Sequence, residues 1–204
     1  MKLFDRTFVI SVKRLQDERL KGTMAHLTER GIEAEPFWGM DFDVTGLRTD
    51  HVYEVDHPGS GYRITPKMAN MHLSHYVLWT VCSYIEGDAF TVFEDDVRFD
   101  PDWKEHYDVA VAALPNDWDI LFIGSCCCAN KPNSHVTGRL YGIKYALCTH
   151  AYAIRKRAAR VLVDTCQKVW TNVDIAMMFG ALPSLKAYAI LPRIAHQDAT
   201  NIPP

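Results

Sequence analysis

Three consecutive carboxylates, Glu94, Asp95 and Asp96, follow the apolar run Ala89-Phe90-Thr91-Val92-Phe93. Side by side, such acids repel one another unless a cation or hydrogen bonds offset their charge. Hard oxygen ligands suit Mg2+ or Mn2+. The apolar run predicts a buried strand. In an open α/β sheet, ligands bind beyond the carboxyl ends of the strands. Side chains alternate along an extended chain. The sequence therefore places Glu94 and Asp96 on one side, where they could flank one metal or one metal–phosphate complex. The plainer alternative is a solvated strand end with Asp95 capping a turn.

These acids need elements to position them. Thr7-Phe8-Val9-Ile10-Ser11-Val12 predicts a buried strand. A helix over 15–30 follows, with Leu20, Met24 and Leu27 on one face and Gly31 as its stop. A short strand over 32–38 completes a β-α-β opening, which suggests a parallel sheet with covered faces. Residues 39–66 carry glycine and proline without a clear period and read as a long surface loop on the active-site side. Over 67–85, Met71, His75, Leu78, Cys82 and Ile85 recur at helical spacing. Asp100 and Pro101 read as the start of a helix that runs to about Ala113. Residues 118–124 predict another buried strand, and 125–138 read as irregular. Strands follow over 139–147 and 149–154, then a helix over 156–168, a short helix over 173–179 and a last strand over 187–191. A proline-rich tail closes the chain.

At 204 residues the chain is long enough for one domain, 1–204, with a real core. Its net charge of −3 excludes a basic protein that coats nucleic acid or an anionic membrane. No apolar run reaches the ~20 residues that span a bilayer. The charged start, Met1-Lys2-Leu3-Phe4-Asp5-Arg6, runs straight into a strand and lacks signal-peptide character. The expectation is therefore a cytoplasmic protein with reduced thiols. Among its six cysteines, Cys126-Cys127-Cys128 read as small hydrophobes at a strand end, and their spacing is poor for zinc.

Phe93-Glu94-Asp95-Asp96-Val97, preceded by Leu73-Ser74-His75-Tyr76-Val77-Leu78-Trp79, resembles glycosyltransferase family 25. That family includes bacterial lipopolysaccharide sugar transferases and collagen hydroxylysine galactosyltransferases. Further similar segments follow in the family's order. They are Val9-Ile10-Ser11-Val12-Lys13-Arg14 with Arg19, residues 118–124, residues 149–154 with 158–162, and Val173-Asp174. The chain departs from the family at Pro66-Lys67-Met68-Ala69-Asn70-Met71-His72, where Gly-Glu-Ile-Gly-Cys is usual.

The resemblance implies a GT-A-type, Rossmann-like α/β domain with a mixed, mostly parallel sheet that binds a nucleotide-sugar. It implies Mn2+ (or Mg2+) held by Asp96 and Glu94, with His196 in the position that completes such sites. By the same resemblance, Ser11, Arg14, Arg19, Ser74, His75, Glu94 and Asp95 become donor-binding candidates, and Asp174 the base that takes the acceptor's proton. Each has a plainer alternative. The arginines could belong to a charge-paired surface, His75 could be a satisfied core histidine, Asp174 could cap its helix, and His196 could be an exposed tail residue. The implied function is metal-dependent, inverting transfer of a hexose from a nucleotide-sugar, UDP-galactose by family likeness. The acceptor would be a glycan or a hydroxylated protein side chain. A lipid-linked acceptor would bring peripheral membrane contact. A metal-dependent phosphohydrolase using the same acids, and a non-catalytic sugar-binding relative, are the alternatives.

Overall fold

A computed structural model describes residues 3–12, 16–41 and 64–198. Arg14 and most of the 39–66 loop lie outside the described residues.

The first half contributes β1 (Arg6–Ser11), α1 (Gln16–Glu29), β2 (Glu35–Trp38), α2 (Pro66–Tyr84), β3 (Ala89–Glu94), β4 (Val97–Phe99) and α3 (Trp103–Ala112). The second half contributes β5 (Ile120–Gly124), β6 (Cys127–Thr137), β7 (Leu140–Leu147), β8 (Ala151–Arg155) and α4 (Lys156–Thr165). It ends with α5 (Val173–Ala176), a π-helical turn over Met177–Ala181, β9 (Ala187–Ile190) and β10 (Ala195–Gln197). Eight strands form one sheet in the order β2-β1-β3-β8-β5-β9-β7-β6, and β4 pairs with β10 in a separate ribbon. Within the large sheet, β7 and β8 run against the other six strands. The fold is thus α/β with a mixed, mostly parallel sheet.

Strand alternation divides the core into two layers. Phe8, Ile10, Phe90, Val92, Ile120, Phe122, Tyr152 and Ile154 pack on one face with Leu78 and Trp79 of α2 and Leu162 of α4. Val9, Phe93, Leu121, Ile123, Ala151 and Ala153 pack on the other with Leu20 and Leu27 of α1 and Trp103 of α3. Local chemistry sets the helix ends. The Thr65 hydroxyl accepts from Met68 N–H at 3.2 Å, and Pro66 opens α2. Beyond its end, Gly87 takes φ +117°, a conformation open to glycine.

Four expectations need correction. α3 starts two residues later than Asp100–Pro101 suggests. Asp102 is its N-cap and turns its carboxylate to His106 at 2.9 Å instead of to the helix backbone. Residues 127–137 are β6, not irregular, and pair with β7 through several register shifts. Those bulges erase the two-residue period that would have announced a strand. The proline-rich tail carries β10. Finally, the thiols are not all reduced, because Cys126 and Cys148 are joined in a disulfide. Cys126 follows β5 and Cys148 follows β7, and the antiparallel pairing of β6 with β7 brings the two together. Cys82 stays a thiol at the core, where burial pushes it up to about 12.

Candidate active site at the end of the third strand

β3 ends at Glu94, and residues 95–96 form the turn into β4. Glu94 continues the face that carries Phe90 and Val92, so its carboxylate points toward α2. There its Oε1 accepts from the Thr149 hydroxyl at 2.6 Å and lies 3.3 Å from His75 Nε2. Burial alone would raise this carboxyl. His75, Thr149 and His150 together outweigh it and hold Glu94 below the ordinary glutamate value.

His75 is fully buried, and its neighbours assign its tautomer. Trp79 Nε1–H donates to the Tyr152 hydroxyl at 2.8 Å. That hydroxyl lies 2.9 Å from His75 Nδ1 and gives it its hydrogen. Nε2 then carries the imidazole hydrogen and donates it to Glu94. The core-histidine alternative is met, since the buried ring has both nitrogens engaged, one of them on Glu94. Tyr152→Phe would remove the acceptor of Trp79 and the donor to His75 without changing shape. Leaving two buried polar groups unmatched costs about 2–4 kcal/mol. The expected result is a clear drop in the thermal unfolding midpoint. An unchanged midpoint would show that the network contributes nothing to stability.

Asp95 faces the opposite layer. Its Oδ2 accepts from the Ser11 hydroxyl at 2.6 Å and its Oδ1 lies 2.5 Å from Arg19 Nη2. The Thr23 hydroxyl donates to its carbonyl at 2.6 Å. Two predicted donor-site residues, Ser11 and Arg19, are thus brought together on Asp95. Asp96 does not share a side with Glu94 in the way simple alternation predicts. The chain turns after Glu94, so Asp96 lies beside Asp95, with Oδ2 3.2 Å from the same Arg19. Its Oδ1 is buried and has no hydrogen-bond partner among the described residues. Burial pushes the Asp96 carboxyl up to about 6, the Glu94 charge adds to this, and Arg19 opposes it.

The other predicted residues sit as follows. Ser74 donates to the Asn70 carbonyl at 2.6 Å and accepts from Met40 N–H at 2.8 Å. It ties α2 to the segment after β2. His196, on β10, is placed opposite Arg98 of β4. Its Nδ1 accepts from Arg193 Nε at 2.9 Å and its Nε2 lies 3.0 Å from Asp100. Both ring nitrogens are thereby engaged. Asp174 is in the first turn of α5, whose N-cap is Asn172. It accepts from Cys148 N–H at 2.9 Å and from Ile175 N–H at 2.8 Å.

Sequence reasoning missed Thr149, Thr23, Arg98, Asp198 and His150. Asp198 N–H donates to the Asp96 carbonyl at 2.7 Å, and its side chain pairs with Arg98 at 2.9 Å. The His150 carbonyl accepts from Glu94 N–H at 3.0 Å. Burial lowers the His150 imidazole. Thr149 and His150 stand in a segment already singled out, but their contacts depend on β8 lying next to β3.

A profile of glycosyltransferase family 25 (LPS biosynthesis protein) matches residues 4–177. The chain belongs to this family. The human inactive glycosyltransferase 25 family member 3 is 30% identical over 171 residues, covering 78% of this chain and 29% of that protein. Procollagen galactosyltransferase 1-B of Xenopus laevis is 29% identical over 174 residues, covering 79% of this chain and 28% of that protein. The family-25 chain therefore spans less than a third of the length of these relatives. Among solved structures it is similar to the mannosyltransferase PcManGT from Pyrobaculum calidifontis in complex with GDP-Man and Mn2+. That likeness has a TM-score of 0.47 and 10% identity, covering 92% of this chain and 54% of the other.

The fit of a divalent cation to the family-25 acidic turn rests on Asp96 Oδ1. A buried, unmatched carboxylate oxygen beside two further acids is a hard donor with no present use. The three acids are not themselves a closed cage, since Glu94 and Asp95 are committed to other partners. Such a donor set suits a cation held by one carboxylate, water and a ligand's phosphates. Among the described residues, three ligand atoms within 4.8 Å of one another occur at Cys126, Cys148 and His150. As placed, two of those are disulfide sulfurs. No helix among the described residues is long and apolar enough to cross a membrane.

Proposed function

We propose that this chain is a single catalytic domain that transfers a hexose, with inversion, from a nucleotide-sugar to a hydroxyl group. UDP-galactose is the donor we infer, supported by the name of the Xenopus relative. The acceptor is a glycan or a hydroxylated protein side chain. The observation that carries the reading is the buried Asp96 Oδ1, which no described residue bonds, at the carboxyl ends of the paired strands β1 and β3. Asp96 would hold Mn2+ or Mg2+ directly, with Glu94 beside it. His196 would have to leave Asp100 to join them. When bound, the ion supplies Lewis-acid neutralisation of the charge that builds on a leaving diphosphate.

The remaining roles belong to the chain's own side chains. Ser11 and Arg19 fix Asp95, which in turn fixes the turn that carries Asp96. Arg19 Nε is buried and has no partner among the described residues, and a phosphate oxygen would reach it by displacing what covers it. His75 and Thr149 hold Glu94 ionised and oriented. Asp174 would take the acceptor's hydroxyl proton, its carboxylate aimed by the Cys148 and Ile175 amides. A cytoplasmic location remains part of this proposal. In the cytoplasm the Cys126–Cys148 disulfide would be held reduced, because such bonds persist in oxidising compartments.

The test is calorimetric titration of the folded chain with UDP and with UDP-galactose, with and without Mn2+. Binding that requires Mn2+ is expected. No binding of either nucleotide overturns the UDP-sugar reading. A non-catalytic role is the second reading, favoured by the human relative's description as inactive and by the altered segment Pro66–His72. It predicts donor binding with no turnover on any acceptor.

A further inference from the structure

Away from the acidic turn, two segments converge at Cys126, Cys148 and His150. Cys126 follows β5, Cys148 lies between β7 and β8, and His150 immediately precedes β8. Two sulfurs and a ring nitrogen come within 4.8 Å of one another. The imidazole has space reserved for it, because a Cβ on Gly124 would stand 2.4 Å from His150 Nε2.

The hydrogen-bonding of His150 is informative. The ring is 1% exposed. Nε2 lies 3.3 Å from the Ala195 carbonyl, which can only accept, so Nε2 carries the hydrogen. Nδ1 is then a bare lone pair, and none of the described residues bonds it. One nitrogen free and the other donating to a backbone carbonyl is how metal-bound histidines are held. Cys148 adds a second sign. It takes φ +69°, a left-handed conformation that a cysteine rarely adopts. Such residues collect at functional sites. Cys126 is exposed, which gives the cluster access to solvent.

We propose that Cys126, Cys148 and His150 are a redox-gated soft-metal site, closed by the disulfide and open to Zn2+ when the disulfide is reduced. A dithiol donor transfers two electrons and two protons, leaves two thiols on this chain and becomes a disulfide itself. Zn2+ then displaces both thiol protons, so two thiolates balance its charge and neutral His150 supplies a ring nitrogen. Reduction frees the sulfurs to part to the separation that two Zn–S bonds of ~2.3 Å require. Thiolate and imidazole suit zinc, whereas the carboxylates of the acidic turn suit Mn2+ or Mg2+. The fourth tetrahedral position is left to water or to Gln197, whose Oε1 is 3.5 Å from Cys126 Sγ. The cluster also touches the candidate active site. The His150 carbonyl accepts from Glu94 N–H, and Cys148 N–H donates to Asp174.

The experiment measures zinc bound per chain by mass spectrometry of the metal. One sample is the oxidised chain, and the other is reduced with dithiothreitol and desalted without oxygen. The reduced chain takes up one zinc that the oxidised chain does not. Co2+ in its place gives thiolate-to-cobalt charge-transfer absorption in the reduced chain only. The double variant Cys126→Ser/Cys148→Ser and the single variant His150→Ala lose this zinc. Equal zinc in oxidised and reduced wild type overturns the proposal. So does wild-type zinc content in the double variant, which would place the ion on Cys127 or Cys128. Should the variants fail to fold, the cobalt spectrum of reduced wild type decides alone, and absence of the charge-transfer band overturns the site.

Discussion

Asp96→Asn abolishes the Mn2+-dependent part of nucleotide binding and leaves the metal-free protein more stable than wild type. Two properties of one side chain give both results. Oδ1 is the buried oxygen that no described residue bonds, so it is the donor a cation would use. The same burial, with Glu94 and Asp95 nearby, raises this carboxyl from 3.8 to about 6. A raised acid in the folded state binds its proton more tightly than the unfolded chain does. Its contribution to stability is therefore favourable at low pH and is lost as pH rises from about 4 to about 6. At pH 7 the ionised group costs up to about 3 kcal/mol, taking 1.36 kcal/mol for each pH unit. Asparagine carries no charge and avoids that cost. For a chain of this size the midpoint should rise by roughly 5 °C or more. Thermal unfolding in chelator at pH 7 and pH 4, beside calorimetry with Mn2+, checks both halves. The variant's advantage should be present at pH 7 and gone at pH 4. Retained Mn2+-dependent binding would remove Asp96 from the site.

Asp174→Asn lowers transfer by about 10²–10⁴-fold, the usual contribution of a positioned general base. Donor binding stays within about twofold. The fold loses a little stability, because one carboxylate oxygen becomes an amide NH2, a donor that cannot accept from the Cys148 or Ile175 N–H. Losing one such bond costs about 1 kcal/mol. Kinetics and unfolding separate two roles for this side chain. If Asp174 only orders the first turn of α5, the midpoint falls slightly and kcat is retained. If it removes the acceptor's proton, kcat collapses while the donor still binds.

The parts of this site that were legible in the sequence are those that local periodicity controls. The alternation along β3 and the helical spacing in α2 gave Glu94 and His75 their faces. Ser11 and Arg19 came from the family resemblance, and their contacts with Asp95 depend on β1 lying beside β3. The illegible parts depend on non-local pairing or on the breakdown of a period. Alternation stops where β3 turns, so Asp96 fell on the unexpected side. β4 and β10 are three residues each, too short to show a pattern, and they find each other across almost half of the chain. The disulfide joins cysteines 22 residues apart, a pairing that only the bulged β6–β7 hairpin reveals. Thr149 reached Glu94 only because β8 inserts, antiparallel, between β3 and β5.

The β4–β10 ribbon fixes an order of events as the chain is made. The acids, Ser11 and Arg19 are all translated before β10, and β1 can pair with β3 as soon as both exist. The strap that closes over their turn is translated among the last described residues. Only then can Asp198 bond the Asp96 carbonyl and pair with Arg98. β9, which joins β5 to the β7–β6 hairpin, is translated only a few residues earlier. The sheet and the strap over the acidic turn are thus completed together, by the same short stretch of chain.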